Sequence, residues 1–275
     1  MKISTKLKRL LNLHKLLWVD DRVSDLEATL LSVRTSLDAL DAMRSSLETP
    51  PHLLEEFYQW KVSNPVPERP LVSVCVATHN RPHLLTKRCI PSVLDQTYGN
   101  LELIIVGDGC TDQTEEMVSG IKDSRLRFVN MPERESYPSD PQRRWMVAGT
   151  EAMNEALSMT RGHYVTHLDD DDEYLPERLE KLVQFANKNK CDFVWHPFWI
   201  DDGTGHRALN KALYLLYGQV MTSSVFYRSW FTSIKFDSSS HLQLEPGDWN
   251  WVRRIKYFKP VSMRYPEPLH IKYES

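Results

Sequence analysis

The sequence predicts an α/β protein in which a mostly parallel sheet is flanked by helices, preceded by an N-terminal helical segment. Three observations lead to this class. From residue 71 onward, short apolar runs rich in β-branched residues alternate with amphipathic runs of helical length. That alternation gives a parallel sheet with helices on both faces. Acidic residues follow two of the strand-like runs, and in such sheets ligands bind at the carboxyl ends of the strands.

The chain begins with a basic segment. Residues 1–18 contain no acidic residue and interleave leucines with Lys2, Lys6, Lys8, Arg9 and Lys15. A helix there would have a basic side and an apolar side, the pattern of an interfacial membrane helix. A solvated, fraying terminus is an equally good interpretation. Polar residues interrupt the apolar run and no small-residue cleavage site follows, so we do not expect a secretory signal.

A seam of apolar residues follows, with alternating spacings of three and four across residues 16–40. Its members are Leu16, Val19, Val23, Leu26, Leu30, Val33, Leu37 and Leu40. A helix with such a seam needs a partner surface. Two alternatives remain open: a coiled coil with a second copy of the chain, or a fold-back onto the catalytic body.

Prolines define the next boundary. Thr49-Pro50-Pro51 ends the helix, because proline lacks the backbone donor, and Asn64 to Pro70 has the composition of an extended linker. The sequence thus predicts a helical segment at 1–48, a proline-containing linker at 49–70 and a catalytic domain at 71–275.

The catalytic domain is predicted to alternate strands and helices. The predicted strands are 71–78, 101–107, 126–131, 162–168 and 191–200. The predicted helices run from Arg81-Pro82 to about Gln96, from Thr111-Asp112 to about Ile121, through a long region ending near Met159, and from Pro176 to Asn189.

Composition limits the functional class. A net charge of −3 gives no general attraction to nucleic acid. The four cysteines form no metal-binding or redox pattern and suit a reducing cytosol. No run of about 18 apolar residues occurs. We therefore expect a cytoplasmic protein, peripheral at the inner face of the membrane if residues 1–18 bind lipid.

Four adjacent carboxylates, Asp169–Asp172, come directly after a predicted strand. Their mutual repulsion would be offset by a divalent cation, and hard oxygen ligands favour Mg²⁺ or Mn²⁺. An exposed acidic turn that caps the next helix is the alternative. An EF-hand loop is excluded, because the position that requires glycine is Tyr174 and a strand precedes the loop.

Two further aspartates are candidates. Asp108 ends the second predicted strand, where a carboxylate can bind a base or ribose, although Asp-Gly is also an ordinary turn. Asp248 lies between Gly247 and Trp249, and its local sequence alone favours a helix N-cap.

Three stretches in this order resemble the family 2 glycosyltransferases of the GT-A fold, from about Leu71 to the C-terminus. VSVCVATHNR is similar to the family's opening strand and nucleotide loop. SVLDQTYGNLELIIVGDGCTDQT resembles its second strand and acidic turn, and NEALSMTRGHYVTHLDDDDEYLPERLE resembles the segment leading into the D-x-D metal motif. The resemblance implies an inverting, metal-dependent transfer of a sugar from a nucleoside-diphosphate sugar, with a UDP-sugar favoured, to an acceptor hydroxyl of a glycan or lipid-linked glycan.

The resemblance assigns roles residue by residue. It makes Asp248 the catalytic base and Asp171 the direct metal ligand, with Asp169 contacting ribose or metal. Nucleotide-sugar contacts are assigned to Ala77, His79 and Asp108, and a weaker metal contact to His270. Gly107 replaces a usual aspartate and Met153 a usual arginine, so Arg143 or Arg144 is expected to supply the positive charge for the diphosphate.

Two other functions remain as alternatives. A sugar nucleotidyltransferase would need a glycine-rich phosphate loop after the first strand, where this chain reads ATHNRPHLL. A non-catalytic nucleotide-sugar-binding or coiled-coil scaffold would act through residues 16–40. The aspartates described above favour the enzyme.

Overall fold

The computed structural model describes residues 23, 26–27, 29–41, 43–45 and 47–274. It consists of two compact units, Met1–Pro50 and Pro51–Ser275. In the first unit the described residues up to position 48 are helical. The seam residues described there are exposed: Val23, Leu26, Leu30, Val33, Leu37 and Leu40. The predictions for residues 1–18, and for Leu16 and Val19, lie outside the described residues.

The second unit is built on a seven-stranded sheet with the order β10-β6-β9-β4-β1-β2-β3. The strands of this sheet are β1 (Val72–Thr78), β2 (Leu101–Gly107), β3 (Leu126–Asn130), β4 (Tyr164–His167), β6 (Phe193–Trp195), β9 (Val225–Arg228) and β10 (Ser262–Arg264). Strands β4, β1, β2 and β3 are parallel, and β9 is antiparallel to both of its neighbours. The mostly parallel sheet is therefore confirmed.

A second, four-stranded sheet has the order β5-β11-β7-β8. Its strands are β5 (Glu173–Tyr174), β7 (Phe198–Asp201), β8 (Arg207–Asn210) and β11 (His270–Tyr273). Strand β11 is antiparallel to β5 and parallel to β7. Because β5 directly follows the carboxylates Asp169–Asp172, this small sheet brings the C-terminal strand to them.

Seven helices cover the large sheet. They are α1 (Pro51–Ser63), α2 (Pro82–Leu84, continued through a π-helical turn Leu85–Cys89 and Ile90–Leu94), α3 (Thr114–Ser119), α4 (Pro141–Val147), α5 (Thr150–Ser158), α6 (Arg178–Asn189) and α7 (Gly247–Lys256). Among the described residues, no helix is long and apolar enough to cross a bilayer.

Alternating side chains of β1 enter two apolar layers. Val72, Val74 and Val76 pack with residues of α2 and α6, whereas Cys75 faces the layer formed by α1, α5 and α7. A strand buried on both faces must be apolar on both, which explains why β1 and β2 read as continuous apolar runs. Helices on both faces are thereby confirmed.

Three predicted boundaries differ from the structure. Residues 51–63 of the predicted linker form α1, whose Phe57 is fully buried in the second apolar layer. The predicted long helix is broken at Gly149, which has a left-handed φ of 76° and separates α4 from α5. The predicted strand 191–200 is divided at His196-Pro197 into β6 and β7, which belong to different sheets.

Candidate active site

The sequence-predicted acidic residues meet at one edge of the large sheet. Thr78, at the end of β1, is in register with Gly107 at the end of β2, and Cys75 pairs with His167 of β4. Asp108 follows β2 and Asp169–Asp172 follow β4, so these groups lie on either side of the end of β1. We call this the catalytic edge.

Arg81 bridges two carboxylates at this edge. Its Nη1 donates to Asp171 Oδ2 over 2.6 Å and to Asp170 Oδ1 over 3.1 Å. The other oxygen of Asp170 accepts a 2.6 Å hydrogen bond from Thr78 Oγ1. Asp170 is thus fixed from both sides by the β1 end and its loop, whereas Asp171 depends on one partly exposed arginine.

Asp172 is buried and Asp169 is half-buried. Burial raises the pKa of both carboxyls, and repulsion from neighbouring aspartates raises each pKa further, while the charge of Lys272 opposes the shift. Asp172 Oδ1 accepts a 3.0 Å hydrogen bond from the Tyr273 N–H. Within the described chain, its buried Oδ2 has no hydrogen-bond partner.

The ligand atoms that Asp169–Asp172 offer fit a hard divalent cation. All are carboxylate oxygens, the ligand type that Mg²⁺ and Mn²⁺ prefer, and within the described chain the buried Asp172 Oδ2 accepts no hydrogen bond. In the part of the chain that the structure describes, no three His, Cys, Asp or Glu side chains are already converged as a metal site. A cation on the Oδ2 of Asp171 would have to take the place of Arg81.

Asp108 is buried and fully engaged. Its Oδ2 accepts a 2.7 Å hydrogen bond from the Tyr137 hydroxyl, and its Oδ1 accepts from the Glu135 N–H over 3.1 Å. The same hydroxyl of Tyr137 accepts from the Gly149 N–H over 3.0 Å. Tyr137 therefore fastens the segment 131–140, which follows β3, over the end of β2 and onto the start of α5.

The β1 loop carries the other predicted nucleotide contacts. The His79 Nδ1 lies 2.7 Å from the Asp108 carbonyl oxygen, and Ala77 is half-buried one residue before the end of the strand. Gly109, at φ 59°, closes the turn: a Cβ there would lie 2.3 Å from the Arg134 backbone nitrogen. His79, Ala77 and Asp108 thus lie close together where β1 and β2 end.

Asp248 lies in the first turn of α7 and is not its N-cap, which is Pro246. Its Oδ1 accepts a 2.6 Å hydrogen bond from the Trp249 N–H. Burial raises the pKa of the carboxyl, and the Trp249 hydrogen bond and Lys272 oppose this shift. Asp248 also raises the pKa of Asp169, so the two carboxylates are close enough to interact.

The remaining predicted residues are less directly placed. Arg143 and Arg144 are exposed on α4, and the guanidinium of Arg144 donates to the carbonyls of Pro138 and Ser139. His270 is buried in β11, stacked on Phe198 with ring centroids 4.9 Å apart. It does not join Asp169 and Asp171 in a three-ligand cluster of the described residues, because its ring packs into the small sheet.

Three residues of the edge were missed in the sequence: Arg81, Tyr137 and Lys272. Each reaches its carboxylate only through tertiary structure. Arg81 stands 90 positions before Asp171, and Tyr137 29 positions after Asp108. Lys272 acts on Asp169, Asp172 and Asp248 from β11. The Asn80-Arg81 pair was visible within the family-like motif, but no pattern pointed to the other two.

Comparison with known proteins identifies relatives of the chain. The sequence model of the family described as "Glycosyl transferase family 2" matches residues 73–255 of the chain. The putative colanic acid biosynthesis glycosyl transferase WcaA of Escherichia coli (strain K12) is 34% identical over 132 residues, 47% of this chain and 41% of that protein. The putative teichuronic acid biosynthesis glycosyltransferase TuaG of Bacillus subtilis (strain 168) is 31% identical over 140 residues, 50% of each. The chain thus spans about half the length of the curated relatives it matches.

Solved structures share the fold. S. aureus TarS (residues 1–349), in complex with UDP-GlcNAc, superimposes with a TM-score of 0.59 at 18% identity, covering 74% of this chain and 58% of that one. The mannosyltransferase PcManGT from Pyrobaculum calidifontis, in complex with GDP-Man and Mn²⁺, gives a TM-score of 0.55 at 17% identity, covering 86% and 68%. The predicted GT-A architecture is confirmed. The family match covers well over half of the chain, and the chain therefore belongs to glycosyl transferase family 2.

Proposed function

We propose that the protein is an inverting, metal-dependent glycosyltransferase that moves a sugar from a nucleoside-diphosphate sugar, preferably a UDP-sugar, to an acceptor hydroxyl. The observation that carries this proposal is the position of Asp248: a carboxyl with a raised pKa, in the first turn of α7, close enough to Asp169 to raise the pKa of that carboxyl. A base with a raised pKa next to a cation site is the combination that such a transfer needs.

The residues divide the work. Asp108 and His79 would hold the base and ribose, with Ala77 contributing its backbone, and Arg143 or Arg144 would face the diphosphate. Asp171 and Asp169 would hold Mn²⁺ or Mg²⁺. That ion would supply positive charge to the leaving nucleoside diphosphate. His270 is not assigned to the metal in this proposal.

Asp248 would take the proton from the acceptor hydroxyl as that oxygen attacks the anomeric carbon. The bond to the diphosphate breaks as the new bond forms, through a transition state with oxocarbenium character. One displacement inverts the anomeric configuration. A product that retained the donor's configuration would exclude Asp248 as the base of a single displacement.

The direct test is Asp248→Asn. Loss of a general base typically lowers turnover by roughly 10²–10⁴-fold. Donor affinity, measured by calorimetry with Mn²⁺ and UDP-sugar, is expected to stay within about twofold, since Asp248 acts on the acceptor. Asp202→Asn, on the exposed turn between β7 and β8, is the matched control and should leave both quantities unchanged. Full turnover in the Asp248 variant would overturn the proposal.

The donor is identified by measuring nucleotide release from a panel of UDP-, GDP-, CMP- and dTDP-sugars, with Mn²⁺ and with EDTA. A sugar nucleotidyltransferase would instead release pyrophosphate from sugar phosphate and nucleoside triphosphate. A non-catalytic scaffold would bind a donor and release nothing, with or without acceptors. The relatives WcaA and TuaG are named for colanic acid and teichuronic acid biosynthesis, which makes a glycan or lipid-linked glycan the acceptor class to add first.

Residues 16–40 are proposed to pair with a second copy of the chain. The seam residues described between Val23 and Leu40 are exposed, and apolar seams at this spacing are covered by a partner helix. Sedimentation equilibrium should give a dimer for the full chain and a monomer for residues 51–275. Leu30→Lys should also give the monomer, because a charge at a seam position opposes pairing.

A further inference from the structure

Three large apolar side chains stand exposed on segments next to Asp248. Trp145 is 70% exposed on α4, Leu242 is 66% exposed on the short 3₁₀ helix Ser240–Gln243, and Leu244 directly after that helix is 67% exposed. We call these three residues the apolar rim. Scattered exposed leucines are ordinary, so the placement and conformation of the rim carry the argument.

The segments of the rim meet one residue before the proposed base. A Cβ on Gly247 would lie 3.1 Å from the Met146 carbonyl oxygen of α4 and 3.9 Å from the Ser240 hydroxyl of the 3₁₀ helix. Gly247 opens α7 and precedes Asp248. The rim residues therefore lie on segments that pack against the start of α7, directly before Asp248.

Leu244 is unfavourable in two ways. It has a left-handed backbone, with φ 56°, a conformation that asparagine and glycine adopt far more readily than leucine. Its side chain is also in water, although the next residue, Glu245, is buried and bonded to Asn250 and Arg253. Neither the backbone conformation nor packing within the chain favours leucine at position 244. This points to a contact of Leu244 with another molecule.

The two segments of the rim carry positive charge on Arg143 and Arg144. Helix α4 and the 3₁₀ helix together contain Arg143, Arg144 and His241 and no acidic residue; Asp140, which caps α4, accepts from the Arg143 N–H. Tryptophan and leucine beside arginine is the composition of a surface that lies in the interface of an anionic membrane. Three side chains are too few for a stable protein interface, which takes about 800 Å² per partner.

We propose that the apolar rim inserts into the surface of an anionic lipid bilayer. If the proposed function holds, this contact places Asp248 at the membrane surface, where it faces acceptor hydroxyls carried on lipid. The rim is separate from the basic segment 1–18, so binding can be divided between the two by variants of the rim alone.

The test is co-sedimentation of the full chain with vesicles of phosphatidylcholine containing phosphatidylglycerol, and with phosphatidylcholine alone. It uses no donor or acceptor, so its failure would leave the proposed function untouched. The variants are Leu244→Asn, Trp145→Gln and their combination. Val62→Gln, an 82% exposed valine in α1, is the matched control; Trp60 of α1 contacts Arg228, which pairs with the opposite end of β4 from the site.

Leu244→Asn should weaken binding to anionic vesicles about threefold to tenfold, the combined variant should weaken it more, and Val62→Gln should change nothing. Asparagine suits the left-handed conformation, so the same Leu244 variant should keep or raise the Tm. A lower Tm would mark Leu244 as a structural residue and overturn the proposal. So would unchanged binding in the combined variant, equal binding to neutral vesicles, or no vesicle binding by the wild type.

Discussion

Arg81 and Asp171 form an ion pair at the catalytic edge, and a cation bound to the Oδ2 of Asp171 would displace the arginine. The arginine side chain is 45% exposed and the aspartate 16%, so the ion pair is partly screened by water and contributes on the order of 1 kcal/mol at most. A divalent ion with several carboxylate ligands can displace such a pair. The guanidinium, once released, is a free cation at the edge where the diphosphate of the donor is proposed to lie.

Arg81→Gln is expected to increase the rise in Tm that Mn²⁺ causes in the absence of nucleotide. In the wild-type protein Arg81 competes with the ion for the Oδ2 of Asp171, and the variant has lost this competitor. Differential scanning fluorimetry across Mn²⁺ concentrations measures the effect. Arg125→Gln, which removes a surface pair with Asp123, is the control and should respond as the wild type does. A smaller rise in the Arg81 variant would contradict the competition.

The stability of the metal-free protein should depend on pH through Asp172. Its pKa is raised on folding, so the unfolded chain loses the proton first, and the folded state is penalised progressively as pH rises above about 4. Asp172→Asn keeps an oxygen for the Tyr273 N–H and removes the titration. We expect the variant to gain stability over the wild type, on the order of 1 kcal/mol or more, near neutral pH and almost none at pH 4. Urea unfolding at both pH values checks this; a gain independent of pH would contradict it.

Single residues were predictable where chemistry left a local mark. Consecutive aspartates after an apolar run indicated a group of carboxylates at the end of a strand, whereas Asp248 was singled out only by the resemblance to the family. Their cationic partners, Arg81 and Lys272, are ordinary charged residues in their own segments. Only the closure of β11 against β5 and the loop after β1 give them a role, and neither contact leaves a periodic pattern.

Among the elements, the segment 131–140 depends on one side chain. The Tyr137 hydroxyl donates to Asp108 and accepts from Gly149, and in this way it joins the segment to the end of β2 and to α5. Burial raises the pKa of this phenol well above its usual range, and the hydrogen bond to Asp108 raises it further. The hydroxyl therefore remains protonated as the donor at physiological pH.

Tyr137→Phe should destabilise the protein by about 1–3 kcal/mol, because Asp108 and the Gly149 N–H lose a buried partner. It should also weaken binding of the nucleoside diphosphate, since Asp108 is no longer held. Urea unfolding and calorimetry with UDP measure the two effects. Tyr58→Phe, whose hydroxyl donates to the Phe258 carbonyl away from the edge, should leave nucleotide binding unchanged. Unchanged affinity in the Tyr137 variant would exclude a role in the nucleotide site.

The order and type of the central elements were predictable from period and turn residues, but their interruptions were not. Apolar residues continue on both sides of Ala148-Gly149, because Met146 and Val147 before the break and Ala152 after it are buried. The apolar pattern also continues through His196-Pro197, because β6 and β7 are both largely buried although they lie in different sheets. Burial sets the apolar pattern, and buried residues stand on both sides of each break.

For the whole molecule, α1 shifts the boundary of the catalytic unit. Phe57 is fully buried and contacts Phe231 and Trp230 at centroid distances of 5.0 and 5.1 Å. Lys61 of the same helix pairs with the buried Asp192 over 2.6 Å. The segment read as a linker from its prolines is therefore part of the folded unit, since an aromatic on a short amphipathic helix can complete a distant core.

Two truncated chains should show whether α1 belongs to the folded unit or to a linker. A chain that starts at Pro51 is expected to keep the Tm of the full protein to within a few degrees, whereas one that starts at Leu71 should lose several kcal/mol. Removal of Phe57 alone, as Phe57→Ala, should cost about 3–5 kcal/mol. Thermal unfolding of the fragments measures this. Equal stability of the two fragments would show that α1 does not stabilise the folded unit and serves only as a linker.

Strand β11 also has a consequence for synthesis of the protein. Every strand of the seven-stranded sheet leaves the ribosome before it, so a nascent chain can complete the large sheet while β5 and β7 still have unpaired edges. Unpaired strand edges attract other chains. Until Lys272 arrives, the buried aspartates also lack the cation that moderates their repulsion. A chain interrupted just before Leu269 is thus expected to aggregate or to be degraded. Either outcome would remove from the cell a protein whose site is nearly complete but whose buried aspartates lack Lys272.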